Sequence, residues 1–360
     1  MAYALIAGLP PIYGLYAALT PQIVYAFLGT SRQLAVGPVA MDSLLVAAGL
    51  SALSIVDPSQ YIQMAILLAL FMGVIQFLLG MLRMGFIVSY LSKPVISGFT
   101  SAAAIIIGLS QFKHLLGVLI PQSNKLHVVI NSFLNTSSPL QFQTFLIGIV
   151  GILMIVLIKK WSPKFPSALL AVIVGIAWVY FNQLNEKGVE VVGLIPQGLP
   201  SFQIVSFEIE TVKQLFPTAL TLALVAFMEA ISVAKAIEEK HKTYHIDPNQ
   251  ELLALGTANV IGSFFQSYPT TGGFSRTAVN DQAGAKTGMA ALITATIVGL
   301  ILLFFTHWFF YLPKSILAAI IIVAVFNLID FKFAIRLFKN RKDEFIVLLL
   351  TFLFTLFIGI

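Results

Sequence analysis

The fold class this chain predicts is an all-α polytopic membrane protein, and three observations predict it. Hydrophobic residues fill 58% of its 360 positions and charged residues only 10%, where ordinary globular domains are about 45–50% apolar and about 25% charged. Stretches such as "QMAILLALFMGVIQFLLGMLRM", residues 63–84, match the ~20 residues an α-helix needs to cross a bilayer. The short alternating strands of a membrane β-barrel do not occur in the sequence.

Apolar runs predict helices over 1–8, 12–28, 38–53, 62–82, 86–112, 142–158, 165–181, 212–237, 251–265, 274–285, 288–306, 312–329 and 344–360. The first, in "MAYALIAGLPP", has a short apolar run without the basic segment of a signal peptide. It reads as the last part of a membrane helix. The chain stops inside another apolar run, "FIVLLLTFLFTLFIGI", so both ends read as truncated. In the 86–112 helix, Lys93 precedes Pro94 and is expected to snorkel to the interface and anchor a kink. The polar stretches 113–141 and 182–211 lack the apolar content of separate domains.

The net charge of +6 and the pI of about 9.4 do not call for nucleic acid, because the basic residues gather in short loops. With the loop after residue 28 in the cytoplasm, that side receives Arg32, Arg83, Lys159, Lys160, Lys164, Lys235, Lys240, Lys242, Lys286, Lys332, Arg336, Lys339, Arg341 and Lys342. The other side receives Lys113, Lys125, Lys187, Lys213 and Lys314. This asymmetry sets the expected orientation and puts 113–141 and 182–211 outside. The expected location is a cell membrane, plasma or inner. There is no cysteine, which excludes disulfides and thiolate metal sites. His241 and His245 lie in a polar loop and are not read as a metal site. No cofactor loop or nucleophile–base constellation suggests an enzyme.

Two segments are too broken for ordinary spanning helices. One is "SRQLAVGPVAMDSLLVAAG", with Gly37-Pro38 inside it. The other is "PTTGGFSRTAVN", with Pro269 and Gly272-Gly273 ahead of its helix. Proline lacks an amide hydrogen, and glycine costs about 1 kcal/mol in a helix interior. Each break is therefore expected to start a half-helix preceded by a short extended piece. Unpaired backbone is tolerated in a membrane only where it is buried or lines a cavity. Interrupted helices in corresponding places of two halves point to a transporter's binding site.

The start of a half-helix offers free amide hydrogens and roughly half a positive charge. Two facing starts make an anion site, to which Ser275 adds a hydroxyl and Arg276 a full charge. The competing reading pairs Arg276 with Asp281 or Glu229. Arginine at the centre of a membrane helix costs about 2.5–3.5 kcal/mol, which favours a functional reading. Glu229 follows an apolar run and is a candidate for proton exchange in each cycle; its structural alternative is a partner for Arg276 or Lys235. Asp42 is expected on the interior face of the bundle, with a direct role the lesser reading.

At these residues the chain resembles the SulP sulfate permease family, also called the SLC26 anion transporters. The matching pieces are "MAYALIAGLPPIYGLYAALTP", "GTSRQLAVGPVAMDSLLV", "LSKPVISGFTSAAAIIIGLSQ" and "NQELLALGTANVIGSFFQSYPTTGGFSRTAVN", in family order across the chain. The resemblance implies a 7+7 inverted-repeat transporter fold with core and gate domains that move as an elevator, in a homodimer when the protein is intact. Residues 1–205 would form the first repeat and 206–360 an incomplete second, with no STAS domain following. The family's anion site carries over to Pro38, Val39, Ala40, Phe274, Ser275 and Arg276. An aromatic facing that site corresponds to Tyr3. The family's acidic residue in the eighth helix corresponds to Glu229, a glutamate in its proton-coupled sulfate carriers.

A magnitude separates the possible mechanisms. One charge crossing 100 mV is worth about 2.3 kcal/mol, so an unaccompanied dianion entering a negative interior faces about 4.6 kcal/mol. Sulfate import needs accompanying cations; two protons cancel the charge, and one halves it. The expectation is proton–sulfate symport, with no cofactor, the lipid bilayer as surroundings and no nucleic-acid partner. A chloride, bicarbonate or oxalate exchanger or channel of the same family is the alternative, since a monovalent anion needs no proton.

Overall fold

The structure is a computed structural model. It describes residues 1–360 except 54, 56, 87–92, 119–139, 163–164, 206–208, 327–328 and 359–360. Among the described residues, six helices are long and apolar enough to cross a membrane, and the protein is an integral multi-pass membrane protein. The chain divides into two compact units, each drawing on both halves of the sequence.

The first unit comprises Tyr3–Tyr90 and Pro196–Thr306. It holds α1 (Ala2–Ile6), α2 (Pro11–Tyr16), α3 (Thr20–Leu28), β1 (Val36–Gly37), α4 (Ala40–Ser51) and α5 (Pro58–Met81). From the later half it takes α9 (Ile209–His241), α10 (Pro248–Phe264), β2 (Thr271–Gly272), α11 (Phe274–Gln282) and α12 (Met289–Leu300), which runs on into a π-helical turn at Ile301–Phe305.

Helices α5 and α10 lie together along their lengths because glycines let their backbones meet. A methyl on Gly256 would stand 2.5 Å from the Phe77 amide nitrogen, and one on Gly73 would stand 2.7 Å from that of Val260. Lipid provides no hydrophobic drive between helices, so this small-residue contact supplies the packing. Polar side chains add to it. Gln76 donates to the Ala223 carbonyl of α9 at 3.1 Å, and Asn259 donates to Gln76 at 3.4 Å. Beneath β1 sits a buried apolar cluster that includes Tyr25, Leu34, Val36, Phe227, Ile231 and Leu255.

The second unit comprises Leu91–Ile195 and His307–Ile360. It holds α6 (Lys93–Leu116), α7 (Phe142–Trp161), α8 (Ser167–Asn182), α13 (Lys314–Phe326), α14 (Phe331–Asn340) and α15 (Lys342–Ile358). Helix α13 is its centre. Gly151 and Gly175 each make room for Ile316, whose atoms lie 2.7 Å from where a methyl would stand on either glycine. The segment after α8 is strapped to the start of α13, with the Val192 amide donating to Leu312 O at 2.9 Å and the Lys314 amide to Glu190 O at 2.9 Å.

Several expectations need correction. The helix expected over 12–28 is broken by a turn at 17–19. Of the helix expected over 86–112, the described part runs from Lys93 to Leu116, and 87–92 lie outside the described residues. Lys93 itself is exposed, and the segment before it, on which the expected kink depends, falls outside the described residues. A helix not anticipated, α14, occupies 331–340. Asp330 caps it by accepting from the Phe333 amide at 2.9 Å. Phe331, Ile335 and Phe338 stand exposed along it, interleaved with Lys332, Arg336 and Lys339. Those cations made the stretch read as a loop. Most of the polar stretch 113–141 lies outside the described residues.

Candidate functional site

Each broken segment folds as an extended piece followed by a half-helix, and the structure brings the two together. β1 and β2 form an antiparallel pair, with Val36 opposite Gly272 and Gly37 opposite Thr271. Because the strands run in opposite directions, the chain leaves the pair in opposite directions too. α4 and α11 thus start at one short ladder and diverge from it. At 12 residues, α4 is about 18 Å long, well short of the ~30 Å hydrocarbon core.

Neither start is capped by a side chain. Val39 and Gly273 occupy the cap positions in extended conformation without side-chain hydrogen bonds to the helix. The first intrahelical amide bonds run from Ser43 to Val39 O at 3.1 Å and from Thr277 to Gly273 O at 3.0 Å. The earlier amide hydrogens of each helix have no partner within it.

The crossing is held rigidly by side chains that the sequence did not single out. Thr277 Oγ1 accepts from the Ala35 amide at 3.0 Å and donates to Gly273 O at 2.7 Å, joining the strand leading to one half-helix with the start of the other. Asn259 accepts from the Thr270 amide at 2.9 Å and donates to its carbonyl at 2.9 Å, and Thr271 donates to Ala226 O of α9 at 2.6 Å. Asn280 donates to Gln33 O at 3.2 Å. The only signal for these residues is their polarity inside an apolar region.

Arg276 lies in the first turn of α11, and its Nη2 donates to Pro38 O at 3.0 Å. The guanidinium thus spans from one half-helix to the approach of the other. Gly37 has a φ of 153°, and a Cβ there would stand 2.5 Å from Arg276 Nη1. Gly37 leaves room for the guanidinium itself.

Two of the alternative partners, Asp281 for Arg276 and Lys235 for Glu229, are taken elsewhere. Asp281 pairs with Lys240 at 2.5 Å and with His241. Lys235 binds Glu238 at 2.7 Å, and His245 binds the same carboxylate at 2.7 Å. Both loop histidines are thereby accounted for, and among the described residues no group of three histidines or carboxylates is arranged to hold a metal ion. Arg276 stays within electrostatic reach of Tyr3, Tyr268 and Glu229, and no ion pair within 4.0 Å joins it to any of them among the described residues.

The other predicted site residues fall in the same unit. Pro38, Val39 and Ala40 are buried, Phe274 and Ser275 are exposed, and Tyr3, Glu229 and Arg276 are intermediate. Oε2 of Glu229 is sealed from solvent and has no hydrogen-bond partner. Asp42, in the first turn of α4, is fully buried, and neither of its carboxylate oxygens has a partner. Tyr268, not picked out from the sequence, is fully buried with its hydroxyl 3.2 Å from Ser43 Oγ. The arrangement offers unpaired amide hydrogens, a guanidinium and a hydroxyl to an anion, beside the donor-free carboxylate of Asp42 and the donor-free Oε2 of Glu229.

Comparison with known proteins agrees with this architecture. The Sulfate permease family matches residues 1–351. Probable sulfate transporter 4.2 of Arabidopsis thaliana is 44% identical over 369 residues, covering 100% of this chain and 54% of the relative. Sulfate transporter 4.1, chloroplastic, of the same plant is 42% identical over 370 residues, covering 100% and 53%. The chain thus spans about half the length of the curated relatives it matches. The structure of SLC26A9 superposes with a TM-score of 0.92 at 28% identity, over 100% of this chain and 60% of that one. The transmembrane domain of a cyanobacterium bicarbonate transporter, BicA, has the same fold, with a TM-score of 0.86 at 24% identity over 99% of this chain and 91% of its own.

Proposed function

This chain belongs to the sulfate permease family, and from that premise we propose that the protein is a secondary active transporter importing sulfate, or a similar inorganic oxyanion, by proton symport. The observation that carries the reading is the juxtaposition at the ladder: two uncapped half-helix starts joined by Arg276, with Glu229 in its electrostatic field. Tetrahedral oxyanions present acceptors in several directions, and such an arrangement supplies donors from several directions. In this reading Tyr3, Pro38, Val39, Ala40, Phe274, Ser275 and Arg276 form the anion site and Glu229 carries the coupled proton. The relatives named as sulfate transporters support the choice of anion.

The electrical cost supports the choice of symport. A dianion entering against 100 mV faces about 4.6 kcal/mol, more than a thousandfold exclusion, and a protonatable carboxylate beside the site offers the remedy. The alternative of a chloride or bicarbonate exchanger leaves Glu229 without a task. We further propose an elevator cycle in a homodimer of the intact protein, with residues 1–205 and 206–360 as the two inverted repeats. In this assignment the unit holding the ladder is the core and the other unit the gate. Each unit draws on both sequence halves, as interleaved repeats require.

Radiolabelled sulfate uptake into proteoliposomes of the intact protein tests the reading. Accumulation should follow an inwardly directed proton gradient and be competed by selenate more strongly than by chloride. Uptake indifferent to that gradient, or chloride competing as well as selenate, would overturn it.

A further inference from the structure

Glu229 is not the only carboxylate in this unit with a buried oxygen that lacks a hydrogen-bond partner. Asp42 is fully buried and both of its oxygens lack a hydrogen-bond partner. A buried ionised carboxylate without donors is among the costliest groups a protein can hold, and the helix start on which Asp42 sits offsets only part of that cost. Among the described residues, no permanent counter-charge acts on Asp42. Helix α4 packs against α5 and α9. The titratable residue of α5 is Tyr61, whose hydroxyl donates to Ala7 O at 2.9 Å. From α9 the group acting on Asp42 is Glu229, itself a carboxylate. Tyr268 feels the charge of Asp42 as well as those of Arg276 and Tyr3. Asp42 and Glu229 are therefore two acidic groups in each other's field, at the foot of the half-helix that opens the anion site.

We propose that Asp42 is a second proton-coupling residue, so that Asp42 and Glu229 together carry two protons with each sulfate. The inference rests on the symport reading above and gives it a stoichiometry. In the loaded state each carboxylate holds one proton as a neutral carboxylic acid, and the two positive charges cancel the two negative charges of the anion. After the site opens to the other side, the sulfate and both protons leave, and the carboxylates are ionised again. No electron or covalent step is involved. A metal cation in place of the second proton is disfavoured by the donor set, which among the described residues gathers no third histidine or carboxylate.

The steady-state ratio of labelled sulfate across proteoliposomes of the intact protein, with the membrane potential clamped at zero, reads the stoichiometry directly. It does not depend on turnover rate. The wild type should accumulate about a hundredfold for each unit of imposed pH gradient, since each coupled proton contributes about tenfold per unit. D42N should fall to about tenfold per unit, while D42E, which keeps an ionisable group, should retain the steeper dependence. A wild-type slope of about tenfold per unit would overturn the role of Asp42 and leave single-proton symport standing. A wild type with no slope would remove the symport reading and this inference with it. A D42N protein with the wild-type slope would also overturn the assignment. If D42N fails to reconstitute, the wild-type slope decides between the first two outcomes.

Discussion

Two buried carboxylate sites in one compact unit are built in opposite ways. Glu251, in the first turn of α10, is fully buried and saturated with donors. Its Oε2 accepts from the Tyr25 hydroxyl at 2.6 Å, and its Oε1 accepts from the Thr30 amide at 2.7 Å, the Thr30 hydroxyl at 2.6 Å and the Ser31 amide at 3.2 Å. Both oxygens of Asp42, and Oε2 of Glu229, are equally hidden from water and have no hydrogen-bond partner. The donors around Glu251 pin the turn between α3 and β1 and fix where β1 meets β2. The bare carboxylates pin nothing, and their cost makes sense if their charge changes during function. A buried acid surrounded by donors serves as a strut, and in the proposed cycle the acids left without donors are the carriers.

The contrast can be broken most severely at Arg276, the group proposed to serve the anion directly. R276A removes the charge and the bond to Pro38, a loss of about 2–5 kcal/mol for truncating one member of a desolvated charged contact. Sulfate uptake should fall at least about thirtyfold, with R276K recovering only part of it because an ammonium cannot span the ladder as the guanidinium does. Uptake by R276A within a few-fold of wild type would remove the guanidinium from the site.

Next in size is the strut. E251Q should strand hydroxyl and amide donors at about 1–3 kcal/mol each, lowering the apparent unfolding temperature in detergent by many degrees. E229Q should leave that temperature unchanged or raise it, because it removes a charge whose buried Oε2 has no donor. Equal destabilisation by the two substitutions would erase the distinction between strut and carrier.

A smaller effect separates packing from function at the ladder. G37A sets a methyl against the Arg276 guanidinium, which is the movable tip of a side chain. The fold should survive with a loss of about 1–3 kcal/mol, while sulfate affinity drops because the guanidinium must leave Pro38. A stability loss without a change in affinity would show that Arg276 works from another position.

The smallest effect lies at Asp57, an exposed cap of α5 whose carboxylate accepts from the Ser59 hydroxyl at 2.5 Å, the Ser59 amide at 3.1 Å and the Gln60 amide at 3.3 Å. The Ser59 hydroxyl first, then its amide, holds the acid below its usual range. A group lowered on folding stabilises the fold above its unfolded pKa, and that contribution disappears as pH falls through the folded value. The D57N variant should therefore show a flatter loss of thermal stability in acid than the wild type, and identical acid profiles would count against the cap.

Much of this was legible in the sequence for identifiable reasons. Hydropathy announces spanning helices because lipid admits little else. Gly37-Pro38 and Gly272-Gly273 announce half-helices because neither pair suits a helix interior, and the extended pieces were found where those breaks placed them. Pairing was less legible. Nothing near Gly37 says that its missing side chain is occupied by Arg276, hundreds of positions away, or that Thr277 closes onto Ala35. The division into units that each mix early and late segments is likewise a property of packing. Glu251 looked like any helix-start acid, because its donors come from a different stretch of chain. Asp42 was placed on the interior correctly, yet only coordinates reveal that its oxygens lack donors. The helix at 331–340 was hidden by its own cations.

The most direct test of the central claim is the steady-state sulfate ratio of E229Q beside that of E251Q, in proteoliposomes across a series of imposed pH gradients. The account predicts an E229Q ratio that is less sensitive to the gradient than wild type, and an E251Q ratio that tracks the gradient like wild type in whatever fraction remains folded. An E229Q protein that follows the gradient as the wild type does, or an E251Q protein that folds normally yet ignores it, would contradict the account.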